Sequence, residues 1–233
     1  MNNFSQSGAK NSINLGSAEV ARDLQTLILR IRSVDKNSAV RLLARGNLLA
    51  MYVSTMSPET LLDTAPTILG MRAVQLAEAT EVDVVVESSA LLDRLARIEE
   101  ENYYLRVPPV TVNATWAGIT PPVSGWVEKK PLAASLLFAT AEAGMKAVDD
   151  ALPQNPGHAV VSTVRSRIWS SPLNSSQSGE NDLEVPSAVA FTAVVLGFLP
   201  QKYEGEIRLF TCGDWVRLNA PAGFVLVKRN QGI

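Results

Sequence analysis

The sequence predicts an α+β fold in which a mixed or antiparallel sheet packs with several helices and the chain ends in a β-meander. Three observations predict it. Stretches with apolar residues at three- and four-residue steps are interspersed with β-branched runs, in no regular βαβ order. The end of the chain alternates around two turn signals, Gly213-Asp214 and Pro221-Ala222-Gly223. Hydrophobic residues make up 46% of the 233 and charged residues 19%, enough apolar surface to build a core.

The elements follow in order. Residues 1–16 are rich in Asn, Ser and Gly and read as a disordered tail. Ser17 caps a helix from Ala18 to about Arg32, with Val20, Leu24, Leu27, Ile28 and Ile31 on one stripe. Ser38 to Arg45 reads as a second short helix stopped by Gly46. Leu48–Thr55, Thr67–Leu76 and Val82–Val86 read as strands, with Gly70 at a bulge. Ser57-Pro58-Glu59 signals a short helical turn. Ser88 or Ser89 caps a helix to about Glu101, striped by Leu91, Leu92, Leu95 and Ile98.

Tyr103–Val107 and Val110–Trp116 read as strands around Pro108-Pro109. After a loop, Pro131 is expected to open the longest helix, to Leu152. Ala159–Trp169 reads as a strand, and Ser170–Glu184 as a polar loop. Pro186 opens an almost wholly apolar helix to Leu199, and Glu206–Thr211, Trp215–Leu218 and Gly223–Lys228 form the meander. The expectation is one α+β domain over 17–233 behind the tail; a boundary in the Pro-rich stretch 117–130 is the alternative.

Charge is unevenly spread. Residues 1–46 carry seven cations against three anions; residues 47–102 carry three against ten. These two regions attract each other, within one chain or between two. The net charge of −2 gives no bulk pull toward nucleic acid or anionic membrane. The first sixteen residues lack the apolar core of a secretory signal. The longest nearly apolar run, Ala188–Leu199, is shorter than the ~20 residues that span a bilayer. The expected localisation is cytoplasmic.

Motifs for chemistry are sparse. There is no GxxxxGK[ST], no GxGxxG after a strand and no GxSxG elbow. One Cys and one His exclude an internal disulfide and a His/Cys zinc cage, so no metal or cofactor is expected. His158 sits in a turn without a sequence-assigned partner, and Cys212 reads as a small buried hydrophobe beside the Gly213-Asp214 turn. Two patches carry the candidate binding residues. Trp116 and Trp126 flank a loop stiffened by Gly118, Pro121, Pro122 and Gly125, a form suited to an aromatic recognition surface. Arg165, Arg167 and Trp169 alternate, so on a strand they share one cationic, aromatic face suited to an anionic ligand.

The string Trp116-Ala-Gly-Ile-Thr-Pro-Pro-Val-Ser-Gly-Trp126, with the Ala/Val-rich remainder, resembles uncharacterised conserved proteins of actinobacteria over roughly residues 40–230. That resemblance implies no activity. The residues themselves favour a non-catalytic cytosolic protein that self-associates through the 18–32 helix and binds a protein partner or small anionic ligand, with nucleic acid unlikely and no membrane. An enzyme acting on an anionic small molecule through Arg165 and Arg167 is the rival reading. A DNA-associated regulator with a helix–turn–helix over 18–45 is the third.

Overall fold

The computed structural model describes residues 12–58, 63, 65–173 and 185–229. The expected tail before residue 12, most of the turn after Ser57-Pro58 and most of the polar loop before Glu184 lie outside these residues. The fold is α+β. Strands β1 (Ser12–Asn14), β2 (Ala39–Met56), β3 (Thr67–Glu87), β4 (Tyr104–Arg106), β5 (Val127–Ala133), β6 (Glu206–Cys212), β7 (Trp215–Ala220) and β8 (Gly223–Lys228) accompany helices α1 (Ala18–Val34), α2 (Ser88–Leu95), α3 (Ala134–Ala151), α4 (His158–Trp169) and α5 (Ala188–Val195). β1 pairs with β4, and the remaining strands follow the hydrogen-bonded order β2-β3-β8-β7-β6-β5. The chain divides into two compact units. One comprises the described residues up to Val53 with Met71–Ala117. The other comprises those between Ser54 and Gly70 and those from Gly118 onward.

In the first unit, Ser17 Oγ accepts the Val20 amide and caps α1 as expected. Ala21, Leu24, Leu27, Ile28 and Ile31 are all buried in the chain's own core, where α1 packs against α2. Burying a large aliphatic side chain stabilises by about 1.5–3 kcal/mol. The four large ones therefore belong to folding of this unit. Of the two burials open to the 18–32 stripe, on the chain's own core or on a second copy, the structure shows the first.

Residues 12–16, expected as part of the tail, belong to the fold. Ser12–Asn14 pairs antiparallel with Tyr104–Arg106, and Ile13 faces Leu105 with both fully buried. An Asn/Ser-rich composition hid two core residues, Ile13 and Leu15.

Ala39–Arg45 is strand, where a helix was expected. Val40, Leu42 and Ala44 are buried while Arg41, Leu43 and Arg45 are not, a period of two. Beyond Gly46 the buried positions move to Leu49, Met51 and Val53. The phase flips at Gly46, whose φ is +56°. One extra residue in a left-handed conformation is the geometry of a β-bulge, so this glycine bends a strand instead of ending a helix. The helix–turn–helix reading over 18–45 falls with it.

In the second unit, β6 to β8 form the expected antiparallel meander, with β6 one and β7 two residues longer than expected, and β5, expected as loop and helix start, pairs with β6. α5 packs on β8 and on α3. It is apolar and buried along most of its length, and its one hydroxyl, Thr192, is satisfied by Thr55 at 2.6 Å. Two expectations differ here. Pro131 lies in β5, not at the start of α3, and β5 is an edge strand. A proline costs little there, where the register with β6 shifts between Lys129 and Leu132. Ala159–Trp169 is helix α4, not a strand. Trp169 packs against Phe191 with ring centroids 4.7 Å apart and sits where Gly144 of α3 leaves room. The β-branched residues of α4 disfavour helix by only a few tenths of a kcal/mol each, less than burying a tryptophan gains.

Candidate binding face on the meander

The Trp116–Trp126 string is divided between the two units. In the first, Thr115–Gly118 begins as a 3₁₀ turn with Trp116 and Ala117 buried. Val110–Ala114, expected as strand, is irregular. Arg41 of β2 holds the turn by donating Nη1 to the Ala117 carbonyl at 2.8 Å. Its Nε and Nη2 grip both carboxylate oxygens of Asp83 at 2.8 and 2.9 Å. Trp116 is therefore a packing residue and not an exposed recognition surface.

That fork yields a prediction. Arg41 holds the Asp83 carboxyl below its ordinary value, chiefly by hydrogen bonding. A depressed folded-state value stabilises above the unfolded carboxylate value of about 3.9, and the gain is lost as pH falls through the folded value. In urea titrations at falling pH, Asp83→Asn should flatten the acid loss of stability. Arg41→Lys, which cannot grip two oxygens, should cost about 1 kcal/mol at neutral pH. An unchanged acid profile in Asp83→Asn would remove the fork from the account.

In the second unit, Gly118–Trp126 lies beside the hairpin β6–β7. Trp126 Nε1 donates to the Pro122 carbonyl at 2.9 Å, which orients the indole. Gly125, at φ +81°, takes a left-handed conformation that favours glycine, and a Cβ there would lie in ordinary contact, 3.5 Å, with Cys212 Sγ. The thiol itself donates a weak hydrogen bond to the Ser124 carbonyl at 3.6 Å.

The hairpin presents a ladder of rings and guanidinium groups. Glu128, Phe210 and Arg217 stand opposite one another across β5, β6 and β7. The Arg217 guanidinium lies 4.5 Å from the Trp126 ring centroid and 4.8 Å from that of Phe210. Arg208 lies 4.9 Å from the centroid of the same Phe210 ring, and its Nε donates to Glu128 at 2.8 Å. Arg208 is thus neutralised. Arg217 is not: it has no carboxylate partner among the described residues, and its Nε is buried without a hydrogen bond. Burial pulls the Arg217 guanidinium below its ordinary value, and the like charge of Arg208 adds to this. The arrangement is a planar cation clamped between rings, with its remaining N–H groups held in a fork that suits a carboxylate or phosphate.

Of the five residues singled out from sequence, only Trp126 belongs to this face. Arg165 and Trp169 sit on α4 around Phe191, with Arg165 5.5 Å above its ring. On a helix two residues are about 200° apart, so Arg167 faces away from both, and the shared face expected of a strand is lost. His158 is the first residue of α4.

Arg208, Phe210 and Arg217 were missed, though a signal existed. A two-residue Gly213-Asp214 turn sets Cys212 opposite Trp215 and therefore Phe210 opposite Arg217. Among the described residues, no group of three or more His, Cys, Asp or Glu could hold a metal ion, and no helix is long and apolar enough to cross a membrane.

Fold and face together describe an α+β protein with an arginine–aromatic surface on its meander. Its residues 9–118 match the Domain of unknown function (DUF8010), and residues 121–232 match the Domain of unknown function (DUF8185). The two matches meet within the Trp116–Trp126 string. No curated protein matches the chain. Among solved structures it is similar to the pol III beta of Caulobacter crescentus, at 12% identity and a TM-score of 0.48, over 91% of this chain and 64% of that one. It is also similar to the DNA polymerase sliding clamp from Pseudomonas aeruginosa, at 13% identity and a TM-score of 0.47, over 91% and 63%. The chain spans less than two thirds of the length of these structures, and neither likeness carries a function to it.

Proposed function

We propose that this chain is a non-catalytic, cytoplasmic binding module, and that the outer face of its meander holds an acidic segment of a protein partner. The observation that carries this reading is Arg217, clamped between Trp126 and Phe210 with no carboxylate of its own among the described residues. A guanidinium and two rings hold a ligand; they do not exchange protons near neutral pH. A second copy is one source of the acidic segment, since residues 47–102 carry ten anions against three cations. Residues Arg165 and Arg167 are proposed only as secondary contacts.

The test is fluorescence anisotropy of the full chain with labelled hexaglutamate and with a labelled thymidine oligonucleotide. Hexaglutamate should bind, and Arg217→Gln should weaken it about tenfold, the worth of one charge-assisted hydrogen bond. Arg217→Lys should weaken it nearly as much, because a point charge lacks the fork. Equal binding by Arg217→Gln would overturn the reading. Preferential, salt-sensitive binding of the oligonucleotide would replace it with the DNA-associated one. Native mass spectrometry decides whether the partner is a second copy.

A further inference from the structure

A second site lies in the first unit. Asp93, Arg94 and Arg97 lie three, four and seven residues after Ala90, on a side of α2 and its following turn distinct from the buried Leu91, Leu95 and Ile98. Opposite them stands the segment Pro108-Pro109-Val110. Between the two is a cleft of about 250 Å³ lined by these seven residues.

Three features give it a chemistry. Its far wall is apolar and stiff: two prolines fix their own φ, and the Val112 amide ties the segment to the Val85 carbonyl of β3 at 2.9 Å. Val110, 71% exposed, is a large apolar side chain left open at the rim. The near wall is cationic. Neither Arg94 nor Arg97 has an ion-pair or hydrogen-bond partner for its guanidinium among the described residues. Asp93 is the one carboxylate in the lining, so the wall keeps a single net positive charge. The volume falls below the ~300–1,000 Å³ usual for whole small-molecule ligands, and suits one side chain with its neighbouring group.

We propose that this cleft takes an extended peptide segment from a protein partner, one in which an apolar side chain stands next to a carboxylate. The apolar side chain packs on Pro108, Pro109 and Val110, and the carboxylate faces Arg94 and Arg97. Because the proline wall is already rigid, binding orders little of the protein. The site is independent of the Arg217 face.

The test is an amide chemical-shift titration of the ¹⁵N-labelled 233-residue chain with N-acetyl-leucine, which carries both groups, and with N-acetyl-leucinamide, which lacks the carboxylate. Saturable shifts are expected at Ala90, Arg94, Arg97 and Val110, with the amide binding about fivefold more weakly. Arg94→Gln with Arg97→Gln, both on an exposed face, should bring N-acetyl-leucine down to the level of the amide. Asp93→Asn should strengthen it. Equal affinity for the two probes, shifts confined to other residues, or no shifts at all would overturn the proposal.

Discussion

Replacing Phe198 by alanine should destabilise the second unit by about 3–5 kcal/mol, the upper range for a buried aromatic. The ring is fully buried and lies on bare backbone. A Cβ built on Gly223 would come 2.5 Å from its Cδ1, and one built on Gly70 would come 3.2 Å from its Cε2. Both glycines are needed for room: neither has the positive φ that would require glycine for its backbone. Truncation therefore opens a cavity walled by strand backbone, which relaxes less than side chains do. The same geometry makes Gly223→Ala destabilising in the native background. In Phe198→Leu, where the ring is gone, Gly223→Ala should cost measurably less, a coupling that a double-mutant cycle reads directly. Urea denaturation supplies the values. A loss below about 1 kcal/mol for Phe198→Ala would show that the ring is not the keystone of this packing.

Ile28→Ala should cost the first unit about 2–5 kcal/mol and leave the oligomeric state of the folded protein unchanged. Ile28 is fully buried, as are Leu24 and Ile31 on the same face of α1. If the stripe instead joined two copies, the variant would give a folded chain of lower mass with little loss of monomer stability. Urea denaturation and native mass spectrometry on one sample separate these results. The exposed side of α1 still carries Leu29 and Arg30, so any assembly through this helix would use that side.

Much of the fold was legible because its signals are local. The Ser17 cap and the three- and four-residue spacing after it act within one helix, and α1 begins where they place it. The meander was equally readable: Gly213-Asp214 and Pro221-Ala222-Gly223 bend the chain by their own backbone preferences, and β6, β7 and β8 follow. Ala39–Arg45 was not readable in this way. Ala, Leu and Arg favour a helix, but the segment finds its hydrogen bonds along β3, fastened by Arg41 on Asp83. The opposite error at Ala159–Trp169 has the same origin. Val, Thr and Ile suit a strand, yet Trp169 gains its burial on a helix packed against α3 and Phe191.

The binding face divides along the same line. Sequence alone determined that Trp126 stands at the end of a stiff loop, that a tight turn joins two strands after Cys212, and that acidic and basic charge are segregated along the chain. Those are properties of neighbouring residues, set by backbone preference and composition. Only the tertiary structure decided that Trp126 closes over Arg217, that Glu128 occupies Arg208 and leaves Arg217 unmatched, and that Trp116 is buried while its companion is not. Each of these is a contact between residues far apart in the chain, and such contacts depend on which strands pair and which surfaces lose water, quantities that no single stretch of sequence contains.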